Sequence, residues 1–387
     1  MHIAFLTSEF PHAKVAHAAG IGTSIRNLTA ALANEGVQVT VVVYGQQTQE
    51  IIVENGITIH LIKNQKYKYF GWFFHRKYIE SYCNSLIKKE KIALLEAPDW
   101  TGITAFMQFK IPLVIRFHGS DTYFCHLEKR QQKFKNFCFE KWAIHKAKAF
   151  IAPTTFAGAI SKKLFKIKNK EIKTIHYGLE LENFTNNTPE IFEKGMILYI
   201  GTLIRKKGVL ELPEIFNKLR KQCPEAKLVL IGNDAPDIKT HSESTWQLMQ
   251  KQFRIEDLKN VEYLGKMPYN EIRNYIQKAN ICVFPTFAET LGMVTIEAMA
   301  MQKAVVNSNI GWAQELIIDG ESGFLVHPSN HDFYAQRMVN LLQDDVLCQQ
   351  IGKQARVRVE SKFDIKNVVK ENISFYKKIM HQNSIQK

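Results

Sequence analysis

Short apolar runs alternate with amphipathic stretches along the whole chain. In the first half, the apolar runs predict strands at residues 2–7, 37–44, 57–62, 92–97, 112–117, 149–153 and 172–176. In the second half, they predict strands at residues 196–201, 226–232, 260–265, 281–285, 303–307 and 323–326. Helical patterns lie between most of these runs, for example at residues 23–36, where Gly36 closes the helix. Strands that are apolar almost throughout and alternate with helices predict parallel sheets covered on both faces.

The length of 387 residues suits two such sheets better than one ordinary core. Residues 183–195 are polar and rich in turn-forming residues, and they separate the two series of strands. The predicted fold class is α/β, with two doubly wound, Rossmann-like domains at residues 1–186 and 187–365 on either side of a cleft. Functional residues are expected in the loops that follow strands, because ligands of such sheets bind beyond the carboxyl ends of the strands. Residues 331–380 are helical in pattern and should pack on the outside.

The composition is that of a globular protein, with 45% apolar and 23% charged residues. No stretch approaches the roughly 18 apolar residues of a membrane span. The opening residues predict a strand rather than a secretory signal, because they lack a basic region and a cleavage site. The six cysteines are scattered without a CxxC motif, so disulfides and structural zinc are not expected. A reducing cytoplasm fits this pattern best.

Positive charge is concentrated in the first half of the chain. Residues 1–186 hold 25 Lys and Arg against 14 Asp and Glu, whereas residues 187–387 hold 26 against 23. This balance indicates an anionic partner, which is a membrane surface, a phosphorylated substrate or nucleic acid, and no nucleic-acid motif supports the last. Residues 67–91 and 129–148 interleave aromatic and basic residues, as an interfacial membrane segment does. The alternative is a pair of amphipathic helices whose aromatic residues belong to the core.

Two glutamates lie on either side of a glycine after one predicted strand. The strand ends at Pro285, and residues 286–293 form a loop before the next helix. The start of that helix offers backbone N–H groups and a positive dipole to phosphates or sugar hydroxyls, and Gly292 allows a close backbone approach. Glu297 could accept two hydrogen bonds from a ribose diol, and Glu289 could do the same for a second sugar. Alternatively, Glu289 is a surface charge and Glu297 interacts with the helix dipole.

The same stretch resembles a known family. The spacing E-x7-E with an internal glycine, followed by EAMA, resembles the signature of the GT-B retaining glycosyltransferases, specifically glycosyltransferase family 4. Further stretches that resemble family landmarks are residues 8–42, 118–121, 175–184, 200–209 and 307–326. The resemblance covers nearly the whole chain. It implies the GT-B fold, with a first domain that binds the acceptor, a second that binds the nucleotide sugar, and a final helix at 366–387 that packs back on the first domain.

The resemblance also implies roles for residues of the second half. Glu297 would bind the ribose of the nucleotide, and Glu289 would hold a hydroxyl of the donor sugar. The backbone of the residues at the glycine turn would touch the sugar and the phosphates; these residues are Leu291, Gly292 and Met293.

A basic turn follows the strand at 196–201. Arg205 and Lys207 would clamp the pyrophosphate there, and the alternative is an exposed basic turn. Thr202 stands where the family commonly has arginine.

In the first half, the resemblance places His118 near the reacting centre of the donor sugar. The alternative is a structural histidine at the end of the strand 112–117. Gly20 and Gly22 open the first long helix and resemble a loop that lets the backbone approach the donor phosphates or the acceptor. Tyr177 stands where the family tends to have asparagine, so no role is carried over to it.

The function implied is a retaining, metal-independent transfer of a hexose-type sugar from a nucleotide diphosphate sugar. The acceptor would be a glycan or a lipid-linked molecule of cell-envelope polysaccharide or glycolipid biosynthesis. UDP and GDP are the favoured carriers, with no other cofactor and no metal, because no DxD-like pair precedes the site. The expected location is the cytoplasm or the inner face of the cell membrane. The alternatives are a nucleotide-sugar epimerase of the same fold and a catalytically silent partner in glycan assembly.

Overall fold

The computed structural model describes residues 1–16, 18 and 20–385, which form two compact units. Unit 1 comprises Met1–Leu179 and the chain from Asp364 onward, and unit 2 comprises Glu180–Phe363. The division falls after Leu179 and not after residue 186 as the sequence predicted. The reason is that the intervening segment bonds to unit 2. Phe184 accepts a hydrogen bond from Arg356 at 2.8 Å, and Asn186 donates one to the carbonyl of Met301 at 3.1 Å.

The described part of unit 1 contains one eight-stranded sheet. Its strands are β1 (His2–Thr7), β2 (Gln38–Gln46), β3 (Glu50–Glu54), β4 (Ile57–Lys63), β5 (Leu94–Pro98), β6 (Leu113–Arg116), β7 (Ala149–Ala152) and β8 (Ile172–Thr174). Their order is β3-β4-β2-β1-β5-β6-β7-β8, and the neighbours are parallel except for the antiparallel pair β3–β4. The structure thus confirms the strands predicted in the first half and adds β3.

Helices cover both faces of this sheet. They are α1 (Gly20–Asn34), α2 (Gly71–Glu90), α3 (Asp121–Leu127), α4 (Phe134–Lys146) and α5 (Thr155–Phe165). One core lies between the sheet and α1, and a second lies on the opposite face beneath α2, α4 and α5. Local signals set several helix starts: the side chain of Thr154 accepts the N–H of Ala157 at the start of α5, and Ser120 accepts that of Tyr123 at the start of α3.

In unit 2, the described residues form a six-stranded sheet in which the neighbouring strands are parallel. The strands are β9 (Met196–Ile200), β10 (Lys227–Ile231), β11 (Val261–Tyr263), β12 (Ile281–Phe284), β13 (Ala304–Asn307) and β14 (Phe324–Leu325). Their order is β11-β10-β9-β12-β13-β14, and β9 and β12 lie side by side at its centre. All the strands predicted in the second half are confirmed.

The helices of unit 2 connect these strands, and some of them close an apolar core over one face of the sheet. They are α6 (Leu212–Leu219), α7 (Thr245–Gln250), α8 (Ile255–Leu258), α9 (Tyr269–Lys278), α10 (Met293–Ala300), α11 (Ala313–Leu316), α12 (His331–Gln343) and α13 (Asp345–Lys362). A single turn of 3-10 helix at Arg205–Lys207 follows β9. The basic turn and the loop that contains Gly292 follow β9 and β12, as the sequence predicted, and the strand order places them next to each other.

The last helix, α14 (Ile365–Ile385), belongs to unit 1. Its apolar residues pack in the core beside α1. The sequence predicted that the final helix packs on the first domain. A buried polar network also holds it: Arg116 donates two hydrogen bonds to Glu96 and one each to Asn372 and Tyr376 of α14. Residues 386 and 387 of the predicted helix lie outside the described residues.

Candidate functional site

The basic turn after β9 is held against the end of β12 by backbone contacts. The carbonyl of Lys206 accepts the N–H groups of Phe287 and Ala288 at 2.8 and 3.2 Å. Gly208 has a φ of +69°, and a Cβ at this position would lie 1.7 Å from the carbonyl oxygen of Pro285. Only glycine allows that approach. The Lys-Gly pair noted in the sequence therefore positions one loop against the other.

This contact brings Lys207 and Glu289 together. The Lys207 ammonium forms an ion pair with the Glu289 carboxylate, and the N–H of Thr290 donates to the same carboxylate at 3.0 Å. Burial by itself would raise the pKa of Glu289, but the charge and the hydrogen bond of Lys207 outweigh burial, so the pKa is lowered. Glu289 is thus an ionised, oriented carboxylate and not a free surface charge.

The glycine turn lies beside this pair. Gly292 precedes α10 with a φ of +101°, and a Cβ there would lie 3.8 Å from Cγ of Glu289 and 3.7 Å from Oγ1 of Thr295. Leu291 is buried and anchors the loop, whereas Met293 begins the helix and is only partly buried. The turn therefore presents the N-terminus of α10 next to the carboxylate of Glu289.

Glu297 lies one turn further along α10 and is in a different environment. It is 5% exposed, and its Oε1 accepts a hydrogen bond from the Tyr269 hydroxyl at 2.5 Å. Burial raises the pKa of Glu297 to about 7, and the hydrogen bond from Tyr269 offsets only part of that effect. Close to neutral pH, this carboxyl group can exist in either form.

Arg205 has a partner that the sequence did not indicate. Its Nε and Nη2 donate to the two oxygens of Asp237 at 2.9 and 2.7 Å, and its side chain remains 41% exposed. Asp237 also accepts two hydrogen bonds from Thr240. The Arg205 guanidinium is the main cause of the low pKa of Asp237, which is about 2. In this structure, Arg205 ties the basic turn to the loop after β10.

In unit 1, His118 follows β6 and is buried. Its Nδ1 is 2.9 Å from the hydroxyl of Tyr177, and the two rings stack with centroids 5.4 Å apart. Burial, with a smaller effect from the positive charge of Arg116, lowers the pKa of His118 to about 3. The imidazole is therefore neutral near pH 7, and it can offer a hydrogen bond but not an acidic proton.

Asp99 fixes the backbone of this segment. The N–H of His118 donates to Oδ1 of Asp99 at 2.8 Å. Burial raises the pKa of Asp99 to about 7, although backbone hydrogen bonds oppose the shift. Sequence reasoning missed both Asp99 and the contact of Tyr177 with His118. The available signal for Asp99 was its position directly after β5.

Gly20 and Gly22 lie at the start of α1. The N–H of Gly22 donates to a Glu9 oxygen at 3.3 Å, and a Cβ at Gly22 would lie 3.0 Å from the backbone of Glu9. Gly22 therefore allows α1 to pack against the segment after β1. Around Gly20, a Cβ would meet no atom within 4 Å. Residue 19, which directly precedes Gly20, and residue 17 lie outside the described residues.

Comparison with known families identifies the chain. The model of Glycosyltransferase Family 4 matches residues 18–183, and that of Glycosyl transferases group 1 matches residues 182–358. The solved structure of sucrose-phosphate synthase from Thermosynechococcus elongatus superposes with a TM-score of 0.80 at 21% identity, over 98% of this chain and 99% of that one. This chain is a family 4 glycosyltransferase. Its fold is GT-B, and it is a transferase, as the sequence predicted.

Two further proteins are similar to this glycosyltransferase. The capsular polysaccharide biosynthesis glycosyltransferase CapM of Staphylococcus aureus is 25% identical over 227 residues, which are 59% of this chain and 54% of CapM. The match thus spans about half the length of that relative. The structure of Anabaena HepE in complex with UDP and glucose has a TM-score of 0.74 at 17% identity, over 98% of this chain and all of that one.

The family 4 site residues of unit 2 that the sequence predicted do not all come together. Lys207, Glu289 and Gly292 lie side by side, with Glu297 further along the same helix, whereas Arg205 turns to Asp237. Sequence reasoning missed Tyr269 and Asp237. Tyr269 could have been noticed, because it begins α9 directly after the loop that follows β11, where ligand-binding residues are expected.

Within residues 1–16, 18 and 20–385, no group of three or more His, Cys, Asp or Glu is arranged to hold a metal ion. Over the same residues, no helix has both the length and the apolar character that a membrane crossing needs.

Proposed function

We propose that this glycosyltransferase transfers a hexose-type sugar from a UDP-sugar or GDP-sugar to a glycan or lipid-linked acceptor of the cell envelope. The transfer would retain the anomeric configuration and would not need a metal. The observation that carries the proposal is the ion pair of Lys207 and Glu289 beside the Gly292 turn. The pair joins a cation from the loop after β9 to an oriented carboxylate and a helix N-terminus from the loop after β12, and these two strands are neighbours at the centre of the sheet.

Glu297 is proposed to bind the ribose. A carboxylate accepts two hydrogen bonds from a vicinal diol, and Glu297 lies in α10, whose N-terminal backbone at Leu291, Gly292 and Met293 would meet the diphosphate. Because the pKa of Glu297 is about 7, its ionised form is available at neutral pH. The hydroxyl of Tyr269 already donates to one oxygen and orients the carboxylate.

Lys207 is proposed to stabilise the departing diphosphate. As the bond to the sugar breaks, negative charge grows on the phosphate, and a fixed cation beside a helix N-terminus stabilises it more than water does. Removing one such donor typically costs about 3 kcal/mol in the transition state. Nε and Nη2 of Arg205 bind Asp237, so Arg205 would share this role only through its remaining N–H donors.

Glu289 is proposed to hold a donor-sugar hydroxyl and not to act as a nucleophile. Its low pKa and its pairing with Lys207 make it a poor attacking group and a good hydrogen-bond acceptor. With no carboxylate nucleophile, the acceptor would attack on the face that the nucleotide leaves, and the leaving phosphate would take the acceptor's proton. This route gives retention of configuration.

The nature of the donor and acceptor is supported by similar proteins. HepE was solved with UDP and glucose, and CapM is named for capsular polysaccharide biosynthesis. On this basis, a UDP-hexose is the first donor to test, and an envelope glycan is the first acceptor. The basic unit 1 is proposed to bring the enzyme to an anionic membrane, where a lipid-linked acceptor lies.

A donor panel tests the proposal. Thermal-shift measurements with UDP-, GDP- and ADP-sugars identify the nucleotide, and product analysis with envelope glycans follows, including NMR of the new anomeric proton and repetition in EDTA. Glu297→Ala should weaken nucleotide affinity, whereas Glu289→Ala should mainly lower turnover. Negligible effects of both would contradict the site, and conversion of the donor without any acceptor would identify an epimerase instead.

A further inference from the structure

Aromatic side chains from two distant segments meet on the surface of unit 1. We call this surface the aromatic patch, and its members are Tyr69, Phe70, Trp72, Phe74, Phe134 and Trp142. Trp72 of α2 and Phe139 of α4 have ring centroids 5.1 Å apart. Phe106 joins them, at 5.5 Å from Trp72 and 4.2 Å from Trp142. The fold thus brings rings of two distant stretches of the sequence into contact.

The outer rings of the patch are not core residues. Phe134 is 79% exposed, Tyr69 68%, Phe70 67% and Trp142 51%. Isolated exposed apolar residues are common, but several large exposed rings on two segments that meet mark an interaction site. The alternative that these aromatics simply fill a core is therefore wrong for these four residues.

One of the exposed rings, that of Phe70, belongs to a residue with a strained backbone. Phe70 has a φ of +50°, in the left-handed region that bulky residues rarely adopt. Its carbonyl accepts the N–H groups of Phe73 and Phe74 and so starts α2. Burial of the ring does not offset this strain, since most of the side chain is exposed. Such strain is typical of functional positions.

The segments that carry the patch are rich in basic residues, although Lys77 is paired with Glu80, and Arg130 with Asp121 and Glu128. Residues 61–79 contain five Lys or Arg and no Asp or Glu, and residues 129–139 contain four and none. The ammonium of Lys135 lies 5.5 Å from the ring centres of both Trp72 and Phe139, and that of Lys68 lies 5.6 Å from the ring of Tyr69. Cations and rings are therefore interleaved on the surface as well as in the sequence.

We propose that the aromatic patch docks on an anionic lipid bilayer, with its rings at the headgroup level and its lysines on the lipid phosphates. Amphipathic rings favour the membrane interface, and flanking lysines add attraction to anionic lipid. A neutral glycan would use the rings but would gain little from so many cations. The proposed function includes contact of unit 1 with an anionic membrane, and the aromatic patch is the surface that would make this contact. Membrane binding by the patch does not depend on the donor site.

Vesicle binding of the full chain tests this inference. Flotation with phosphatidylcholine alone should leave the protein unbound, whereas mixed vesicles containing phosphatidylglycerol should bind it, and added salt should release it. Trp72, Trp100 and Trp142 are each at least one-third exposed, whereas Trp312 is buried. Brominated acyl chains in the mixed vesicles should therefore quench tryptophan fluorescence.

Matched variants separate the patch from a general effect. Phe70→Asn/Phe134→Ser should weaken binding to mixed vesicles at least about tenfold, and asparagine tolerates the backbone conformation at position 70. Its control is Ile255→Ser/Val346→Ser, which removes two apolar side chains of unit 2 that are 87% and 76% exposed.

A second pair of variants tests the charge. Lys66→Gln/Lys68→Gln should weaken binding about thirtyfold at low salt and little at high salt. The exposed lysines of Lys251→Gln/Lys259→Gln are the control.

Three vesicle results would overturn the inference, and one glycan result would replace it. The first is equal binding to both kinds of vesicle, the second is equal loss in a patch variant and its control, and the third is binding without quenching. Loss of soluble-glycan binding in Phe70→Asn/Phe134→Ser, with vesicle binding intact, would make the patch a glycan platform instead. Nucleotide release from the donor in the presence of a soluble acceptor should stay unchanged in the patch variants, so that a failure of the proposed function would be recognised separately.

Discussion

Two glutamates of one loop and helix differ in pKa because their partners differ. Glu289 and Glu297 are the same residue type, eight positions apart, and both are largely removed from water. Glu289 faces an ammonium and has a lowered pKa, whereas Glu297 faces a neutral phenol and has a pKa raised to about 7. When their surroundings move the pKa values of two carboxyl groups apart, the two groups can take different roles. Here one is a fixed anion, and the other gains its charge near neutral pH.

The first prediction concerns the pH dependence of donor binding. The ionised form of Glu297 is proposed to bind ribose, and its pKa of about 7 means that this form increases as pH rises. Affinity for a UDP-sugar should therefore increase about tenfold from pH 6 to pH 8. The diphosphate of a nucleotide sugar does not titrate in this range, so calorimetry without acceptor isolates the protein group. Glu297→Gln should show weaker binding without this slope, and an unchanged slope would contradict the assignment.

The second prediction concerns Tyr269, which acts through Glu297. Its hydroxyl lowers the pKa of Glu297, so Tyr269→Phe should move the midpoint of donor binding to higher pH and weaken binding severalfold at pH 7. The rate at saturating donor should change little. Tyr275→Phe, in the same helix, is the control. If Tyr269→Phe weakens binding equally at all pH values, Tyr269 only packs against the site.

At the scale of elements, the loops after β9 and β12 form one unit because a glycine allows their contact. The sequence indicated both loops separately, and it indicated that they follow strands. β9 and β12 are neighbours in the sheet, and Gly208 has no Cβ, so the two loops can touch. Lys207 thereby reaches Glu289. The Lys-Gly pair is therefore a structural requirement as well as a chemical one.

The third prediction tests that contact. Gly208→Ala should greatly reduce activity and destabilise unit 2, because the new Cβ would lie 1.7 Å from the carbonyl of Pro285. Gly265→Ala is a close control, since Gly265 has the same φ of +69° and a Cβ there would meet no atom within 4 Å. It should cost only about 1 kcal/mol in the free energy of unfolding. Urea unfolding and donor-dependent activity measure both; equal losses would mean that backbone strain alone is responsible.

One strand shows where pattern reading failed. β3 is an antiparallel edge strand with three partly or fully exposed apolar residues, so it lacks the buried run that predicted the other strands. Its signal was the Asn55-Gly56 pair, in which both residues have a positive φ, as a tight hairpin turn requires. Buried parallel strands were predictable from apolar runs, whereas the solvent-facing edge strand β3 could have been predicted only from the Asn55-Gly56 turn that follows it.

At the scale of the whole molecule, the last helix is attached to unit 1 by more than apolar packing. Arg116, Glu96, Asn372 and Tyr376 are buried and bonded to one another. A buried charge pair is costly to break on one side, because the remaining charge then lacks a partner. The network therefore specifies where α14 lies on the sheet.

The fourth prediction concerns this network. Arg116→Met should lower the free energy of unfolding of unit 1 by about 3–5 kcal/mol, because it leaves Glu96 buried without its cation. Tyr376→Phe keeps the ion pair and should cost only about 1–2 kcal/mol. Lys378→Gln removes an exposed ion pair of the same helix and should cost less than about 1 kcal/mol. Chemical unfolding followed by circular dichroism gives the ranking, and a similar cost for all three would show that the network does not hold α14.

The sequence by itself determined the buried parallel strands, the α/β class, the family and the two loops that carry the candidate site. Apolar periodicity and glycine placement are local properties, so they can be read without knowing which parts of the chain meet. Only the tertiary structure decided the partners: Lys207 for Glu289, Tyr269 for Glu297, Asp237 for Arg205 and Tyr177 for His118. Each partner follows a different strand, and the pKa of a buried group is set by its burial and its neighbours, both of which depend on the tertiary structure.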